Sequence, residues 1–281
     1  MILKRKIKFS RIVISFFWIC LLIPFNTSAS QFLQSKNSQT NLWDRVRSGL
    51  TLAAPPDSKE RRIIQASYAK NLQTFNRIVS NSERYLFHIV EEVERRGMPM
   101  EIALIPVVES SYNPLVKATP GNPSTGLWQF VPRTGKHLGL SQTIWYDDRR
   151  DVIASTEAAL NYLQYLYDRF DSWELAIASY NIGEGVVGKI LAKTPAKDKA
   201  KGFYQLNLPI EAKQYVYKLL VVKDIIANSK KYGIKLRPVP NRPYFDTVKI
   251  HKPIEVPVVA RLANISEIEF TKLNPAYNGF V

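Results

Sequence analysis

The sequence predicts a mainly α-helical protein, and three observations carry that reading. Apolar residues recur at helical spacing through residues 57–97, Ala159, Leu163, Leu166 and Phe170 form one stripe in mid-chain, and a long apolar run begins at Pro209. No periodic strand interrupts the second half before residue 237. With 281 residues and 46% hydrophobic composition, the chain can bury one core of typical size plus a smaller appendage. That composition excludes intrinsic disorder for most of its length.

Taken in order, residues 1–29 read as a secretory signal. Lys4, Arg5, Lys6, Lys8 and Arg11 precede an apolar run from Ile12 to Phe25, and Thr27 and Ala29 then form a small-x-small cleavage site. A run of about 14 apolar residues is short of the ~20 a bilayer span needs, which weighs against the alternative of an uncleaved anchor. Phe17, Trp18 and Ile19 before Cys20 do not suit lipid attachment. Residues 30–56 are rich in Gln, Asn and Ser and close on Ala54-Pro55-Pro56, so a mostly extended tether is expected there. Over residues 57–97, Ile63, Ile64, Leu72, Phe75, Ile78 and Val79 predict one amphipathic helix, and Leu86, Ile89, Val90 and Val93 a second that stops before Gly97.

Residues 98–236 are expected to form the central unit. Pro99 suits the first turn of an apolar helix over Ile102–Val108, Pro106 should kink it, and its end delivers Glu109. From Ser110 to Arg150, Gly, Pro, Asn and Ser accumulate as in loops that surround a site. Ser155-Thr156-Glu157 is expected to cap the next helix, and Trp173–Tyr180 makes another. A lysine-rich link, Lys193 to Lys201, leads to the long helix begun by Pro209, which runs through Tyr215, Leu219, Val222 and Ile226 towards Gly233. Residues 237–281 form a proline-rich link and a small module, with a strand expected near Tyr244–Ile250 and two short helices after Val258.

Composition excludes several chemistries. The formal charge of +15 falls to +10 without the five basic residues of the signal, a balance that favours polyanionic partners: nucleic acid, anionic lipid or wall polymer. Cys20 is the only cysteine, so a processed chain has no disulfide, thiol nucleophile or cysteine-ligated metal. His88, His137 and His251 are widely spaced and match no HExxH pattern, and no G-x-S-x-G elbow occurs. No metal or other cofactor is expected. His88 and His137 read simply as a helix and a loop residue.

Glu109 follows seven residues that are all apolar or Pro. Two readings stand: a carboxyl whose lost solvation raises its pKa towards that of a general acid, or a solvated helix-end carboxylate. Asp147, Asp148, Arg149, Arg150 and Asp151 suit a loop ion-pair network better than a catalytic dyad, and Glu184 suits a role in the turn after Asn181.

Three ordered blocks then become informative: Glu109-Ser110-Ser111-Tyr112-Asn113-Pro114, Gly126-Leu127-Trp128-Gln129-Phe130, and Ala178-Ser179-Tyr180-Asn181-Ile182-Gly183-Glu184-Gly185. In this order and spacing, residues 98–195 resemble the lytic transglycosylase (SLT) domain of the lysozyme superfamily. Trp145–Asp151 and Leu208–Val216 resemble its membrane-bound lytic transglycosylase D branch. Residues 255–281 resemble the small segment that in such proteins precedes LysM wall-binding repeats, which are expected to be absent here.

The resemblance implies a lysozyme-like, goose-type fold and cleavage of the β-1,4 bond between N-acetylmuramic acid and N-acetylglucosamine, leaving a 1,6-anhydromuramic acid end. It implies that Glu109 is the single catalytic acid/base, that Ser110 orients its carboxyl, and that Gln129 bonds the carboxyl or a sugar acetamido group. Tyr180 would stand near Glu109 and line a subsite with Asn181, and Thr119 lies where the family often has a substrate-touching hydroxyl. Glu211 and Tyr215 either face the cleft or form a solvated helix face. Trp128 and Phe130 are expected in the core rather than stacked on sugar. The partner implied is the peptidoglycan glycan strand, not nucleic acid, in an exported, periplasmic setting compatible with peripheral association with wall or membrane. A goose-type hydrolase and a non-catalytic wall-binding scaffold remain the alternatives.

Overall fold

Helices carry most of the chain in the computed structural model, which describes residues 2–4, 40–117, 119–200 and 202–278. The expected signal segment therefore lies outside the described residues, apart from a short strand β1, Ile2–Lys4, and so do residues 30–39 of the expected tether. The tether reading needs correction over the remainder. Residues Leu42–Ser48 form a helix, α1, whose N-cap Asn41 accepts from the Trp43 N–H. Leu42, Trp43 and Val46 are fully buried, so their apolar area overrides the polar composition around them. Arg45, on the same short helix, is gripped by Glu94 and Glu91.

The single helix expected from Ile63 to Val79 is two helices. Ser58 caps α2 (Lys59–Lys70), and Asn71 both ends α2 and caps α3 (Leu72–Ser82) by accepting from the Thr74 N–H. Next comes α4 (Leu86–Arg95), which buries Leu86, Ile89, Val90 and Val93. Pro106 does more than kink the helix that follows. It has no N–H for the Ile102 carbonyl, which instead takes the Ile105 N–H, so the segment starts as a 3-10 helix over Met100–Leu104 and becomes α5 only at Ile105–Ser110.

After the loops and a short helix α6 (Pro132–His137), the N-cap of α7 (Val152–Phe170) is Asp151, not the expected Ser155. The Asp151 carboxylate accepts from the Ile153 and Ala154 N–H groups, each at 2.8 Å, while Ser155 and Thr156 are buried inside the helix. Three helices follow, α8 (Trp173–Ile182), α9 (Glu184–Lys193) and the four-residue α10 (Ala196–Lys199). The long α11 (Ile210–Ala227) packs against α2, α5 and α8 and so forms the axis of the core. In the C-terminal part, β2 (Phe245–Thr247) pairs antiparallel with β1. The two expected short helices are α12 (Val256–Ala263) and α13 (Glu267–Leu273), around a small cluster of Val259, Ala260 and Phe270. Arg84 holds Glu269 through two hydrogen bonds, and the Tyr85 hydroxyl donates to the Lys272 carbonyl, which ties this module to the main body. The protein is mainly α. Among the described residues no helix is long and apolar enough to cross a membrane.

Candidate active site

Glu109 stands in the last turn of α5, and the chain fixes that turn from both sides. Ser111 and Tyr112 adopt successive left-handed conformations, φ 53° and 58°, which stop the helix one residue after the glutamate. Such conformations are strained for residues with side chains, and burial compensates here: Tyr112 is fully buried with its hydroxyl on the Ala103 carbonyl. The Ser110 hydroxyl points at the Leu127 carbonyl, 2.9 Å away, and at Pro106 O. Ser110 therefore pins the helix end to the loop opposite; it makes no bond to the carboxyl it was expected to orient.

That loop is shaped by one glycine and one ion pair. Gly126 has φ +80°, and a Cβ there would lie 2.1 Å from the Arg149 carbonyl oxygen, so only glycine fits. Arg149 grips Asp147 through two hydrogen bonds and donates to the Pro123 and Phe130 carbonyls, so the expected ion pairing in this segment serves to brace the loop. Trp128 is buried, donating its indole N–H to Thr156 Oγ1 at 3.0 Å, and Phe130 is buried beside it, as core residues. Gln129 (φ 51°) turns into the cleft, where its Nε2 donates to the Gly126 carbonyl and its Oε1 accepts from Ser124 Oγ. From α8, the Tyr180 hydroxyl donates to the Trp128 carbonyl at 2.7 Å.

Glu109, Gln129, Tyr180 and Asn181 thus line one cleft of about 420 Å3. Asn122, Ser124, Thr134 and Tyr162 line it too, and the sequence assigned none of these a site role. Thr119 does not reach it: it is exposed and pairs through its backbone with Asn122, which takes the cleft position instead. Of the two residues on α11, Glu211 is exposed in the first turn, whereas Tyr215, one turn later, is buried and donates its hydroxyl to Glu109 Oε1 at 2.5 Å. Volume alone would mislead, since a larger hollow of about 570 Å3 under residues 248–263 is lined mostly by aliphatic groups and holds no carboxyl.

Burial pushes the Glu109 carboxyl up to about 7, against the Tyr215 hydrogen bond and the Lys218 charge, which both pull it down. Burial, with the Glu109 charge adding to it, also holds the phenols of Tyr180 and Tyr215 well above their ordinary range, so both stay neutral donors. Glu109 is the only carboxyl among the described residues lining the cleft. No cluster of His, Cys, Asp or Glu able to hold a metal ion occurs among the described residues. Chemically, the arrangement offers one proton that can be given and taken back near neutral pH, on a wall of amide and phenol hydrogen-bonding groups.

Comparison with known proteins agrees with this geometry. Residues 88–203 match the family model of the transglycosylase SLT domain, a span that contains Glu109, the Gly126 loop and Tyr180. Two curated relatives from Escherichia coli, strain K12 and an O6:H1 strain, both named membrane-bound lytic murein transglycosylase D, are 39% identical over 240 residues, 85% of this chain and 52% of theirs. A putative tributyltin chloride resistance protein of an Alteromonas species is 41% identical over 140 residues, 48% of this chain and 67% of its own. The chain spans about half the length of the two transglycosylase relatives. With its three sequence blocks gathered round one desolvated glutamate, the chain carries a transglycosylase SLT domain over residues 88–203.

Proposed function

We propose that the protein is a peptidoglycan lytic transglycosylase with Glu109 as its sole acid and base. The observation that carries this is the single cleft carboxyl, raised to about 7 by burial and held at one oxygen by Tyr215. With Oε1 accepting from the phenol, Oε2 is the oxygen to carry the proton. It gives that proton to the O4 leaving group of N-acetylglucosamine as the bond from C1 of N-acetylmuramic acid breaks. The resulting carboxylate then takes the proton of the C6 hydroxyl as that oxygen closes on C1, and no water is consumed.

A retaining glycosidase with an enzymic nucleophile needs a second carboxyl about 5 Å from the first, and an inverting one needs it farther off with water between. The cleft's lone carboxyl suits a reaction whose nucleophile belongs to the substrate. In this reading Gln129, Tyr180 and Asn181 bind sugar, joined by Asn122 and Ser124 of the same lining in place of Thr119. The names of the Escherichia coli relatives support the same substrate and a site of action in the cell envelope. We assign the catalytic unit to residues 98–236 and export to the basic and apolar stretch of residues 1–29.

The test is mass spectrometry of soluble muropeptides released from purified peptidoglycan, beside the Glu109→Gln variant. Fragments one water lighter than their reducing counterparts, absent from the variant, are expected. Reducing ends would make the protein a hydrolase instead, and no release by the wild-type protein would favour a binding scaffold.

A further inference from the structure

Next to the cleft, four side chains close a ring that the chemistry at Glu109 does not use. Tyr162 and Tyr165 lie one turn apart on α7 with their rings 6.2 Å apart between centroids and 15° from parallel. The Tyr162 hydroxyl donates to Glu184 Oε2 at 2.5 Å, and Glu184 Oε1 lies 3.8 Å from Arg169 Nη1. That same Arg169 nitrogen donates to the Tyr165 hydroxyl at 2.9 Å, which completes the circuit. Tyr162 lines the cleft and meets Tyr180 at 6.0 Å on its inner side, while Tyr165, the next ring outward, is 47% exposed.

We propose that Tyr162 and Tyr165 form a carbohydrate-binding subsite that carries the cleft outward along α7 and takes a further sugar of the glycan strand. The inference rests on the glycan-cleaving reading of the cleft. Fixing a half-exposed side chain at a surface costs conformational entropy, and packing explains the inner ring but not the open face of the outer one. A flat, immobilised aromatic face suits the apolar face of a pyranose, and the rim suits its edges. Arg169, 42% exposed, has N–H donors to spare, and the half-buried Glu184 carboxylate keeps lone pairs beyond those its two partners use to accept from hydroxyl and acetamido groups. The two charges offset one another, so the rim reads hydrogen-bonding pattern rather than net charge, as recognition of a neutral N-acetylated sugar requires. The aromatic surface runs from Tyr180, in the wall beside Glu109, through Tyr162 to Tyr165, which places the added sugar on the same strand as the scissile bond.

The experiment titrates the full chain carrying Glu109→Gln, which cannot consume its ligand, with peptide-free glycan strands of defined length by calorimetry. Adding Tyr165→Ala should weaken binding of long strands about five- to tenfold and binding of tetrasaccharides less than twofold, with Tyr165→Trp restoring affinity. Arg169→Met, which opens the ring without removing a tyrosine, should weaken long-strand binding about threefold. In catalytically intact protein, Tyr165→Ala should raise KM for long strands more than it lowers kcat. Unchanged affinity for long strands in both variants, in protein that keeps its wild-type circular dichroism, overturns the subsite. If the wild-type protein cleaves and Tyr165→Ala binds as tightly as its parent, the subsite fails and the enzymic reading stands. If the wild-type protein releases nothing while glycan binding still depends on Tyr165, the enzymic reading fails and the subsite stands.

Discussion

Glu101 and Glu109 sit on the same apolar segment, and the chain treats them in opposite ways. Glu101 is fully buried, yet its carboxylate accepts from the backbone N–H groups of Leu52 at 2.9 Å and Thr51 at 3.2 Å, and Lys223 Nζ lies 3.8 Å away. Glu109 opens on the cleft, where the Tyr215 phenol is the one donor on its carboxyl among the described residues. One charge is satisfied and becomes a fastener between the 3-10 helix and the segment after α1. The other is desolvated by more than the Tyr215 phenol and the Lys218 charge offset, and its pKa rises to about 7. Burial, only partly offset, is what makes Glu109 a usable acid.

The largest effect that would sharpen the contrast is on turnover. Glu109→Gln keeps the shape and the Tyr215 bond but cannot exchange a proton, and muropeptide release should fall by about 10²–10⁴-fold, the range for a positioned general acid. The equivalent change at Glu101 should act on stability instead. An amide there keeps its oxygen on one of the Thr51 and Leu52 N–H groups, turns its own N–H donors towards the other and leaves Lys223 without its charge partner, at a cost of about 3 kcal/mol. Thermal unfolding should show that loss while kcat per folded molecule stays within about twofold. A Glu101→Gln protein of wild-type stability would break the comparison.

Glu109→Gln has a second consequence, of opposite sign. Glu109 is raised in the folded state from an ordinary value of 4.5 to about 7, so the unfolded chain releases this proton first as pH rises. The stability tied to it is complete below about pH 4.5 and is lost as pH climbs through 7, by up to about 3 kcal/mol. The glutamine variant escapes that loss. Its stability advantage over wild type should therefore grow between pH 4.5 and 7 and level off above about pH 8, as urea unfolding at a series of pH values would show. An advantage independent of pH would mean that Glu109 is better solvated than its surroundings indicate.

Only the Glu109 side of this contrast was legible in the sequence, and the remainder was hidden for definite reasons. Seven apolar or Pro residues before Glu109 left a desolvated carboxyl and a solvated helix end both open, and the resemblance of the blocks around Gln129 and Tyr180 named its neighbours. The break at Asn71 was invisible because the apolar repeat on either side continues as if nothing intervened, and only the cap shows the chain changing direction. Asp151 and Ser155 are both good caps by residue type, and the choice fell to tertiary contacts, since Asp151 also accepts from the Tyr146 hydroxyl at 2.6 Å. The α1 helix hid in a polar stretch because Leu42, Trp43 and Val46 are few, though all are buried. On α11 the choice between Glu211 and Tyr215 depends on the rotation of one helix against α5. Tyr162 reaches the cleft from a helix whose local pattern gives no sign of it, and Asn122 from a loop segment expected to surround a site, in which nothing singled that residue out.

Tyr215 offers the smallest effect and the most discriminating one. Its hydroxyl donates to Glu109 Oε1 and so favours the charged carboxylate, pulling down a pKa that burial pushes up. Tyr215→Phe removes that pull and adds apolar surface, and both changes move the Glu109 pKa upward. Because the first step needs the protonated acid, kcat should decline with rising pH along a limb whose midpoint lies near 7 in the wild type and higher in the variant, by up to about one unit. Looser placement of the carboxyl would lower the whole profile without moving its midpoint. The midpoint therefore separates tuning of the acid from simple support of it, and a shift downward would mean that the phenol stabilises the protonated form.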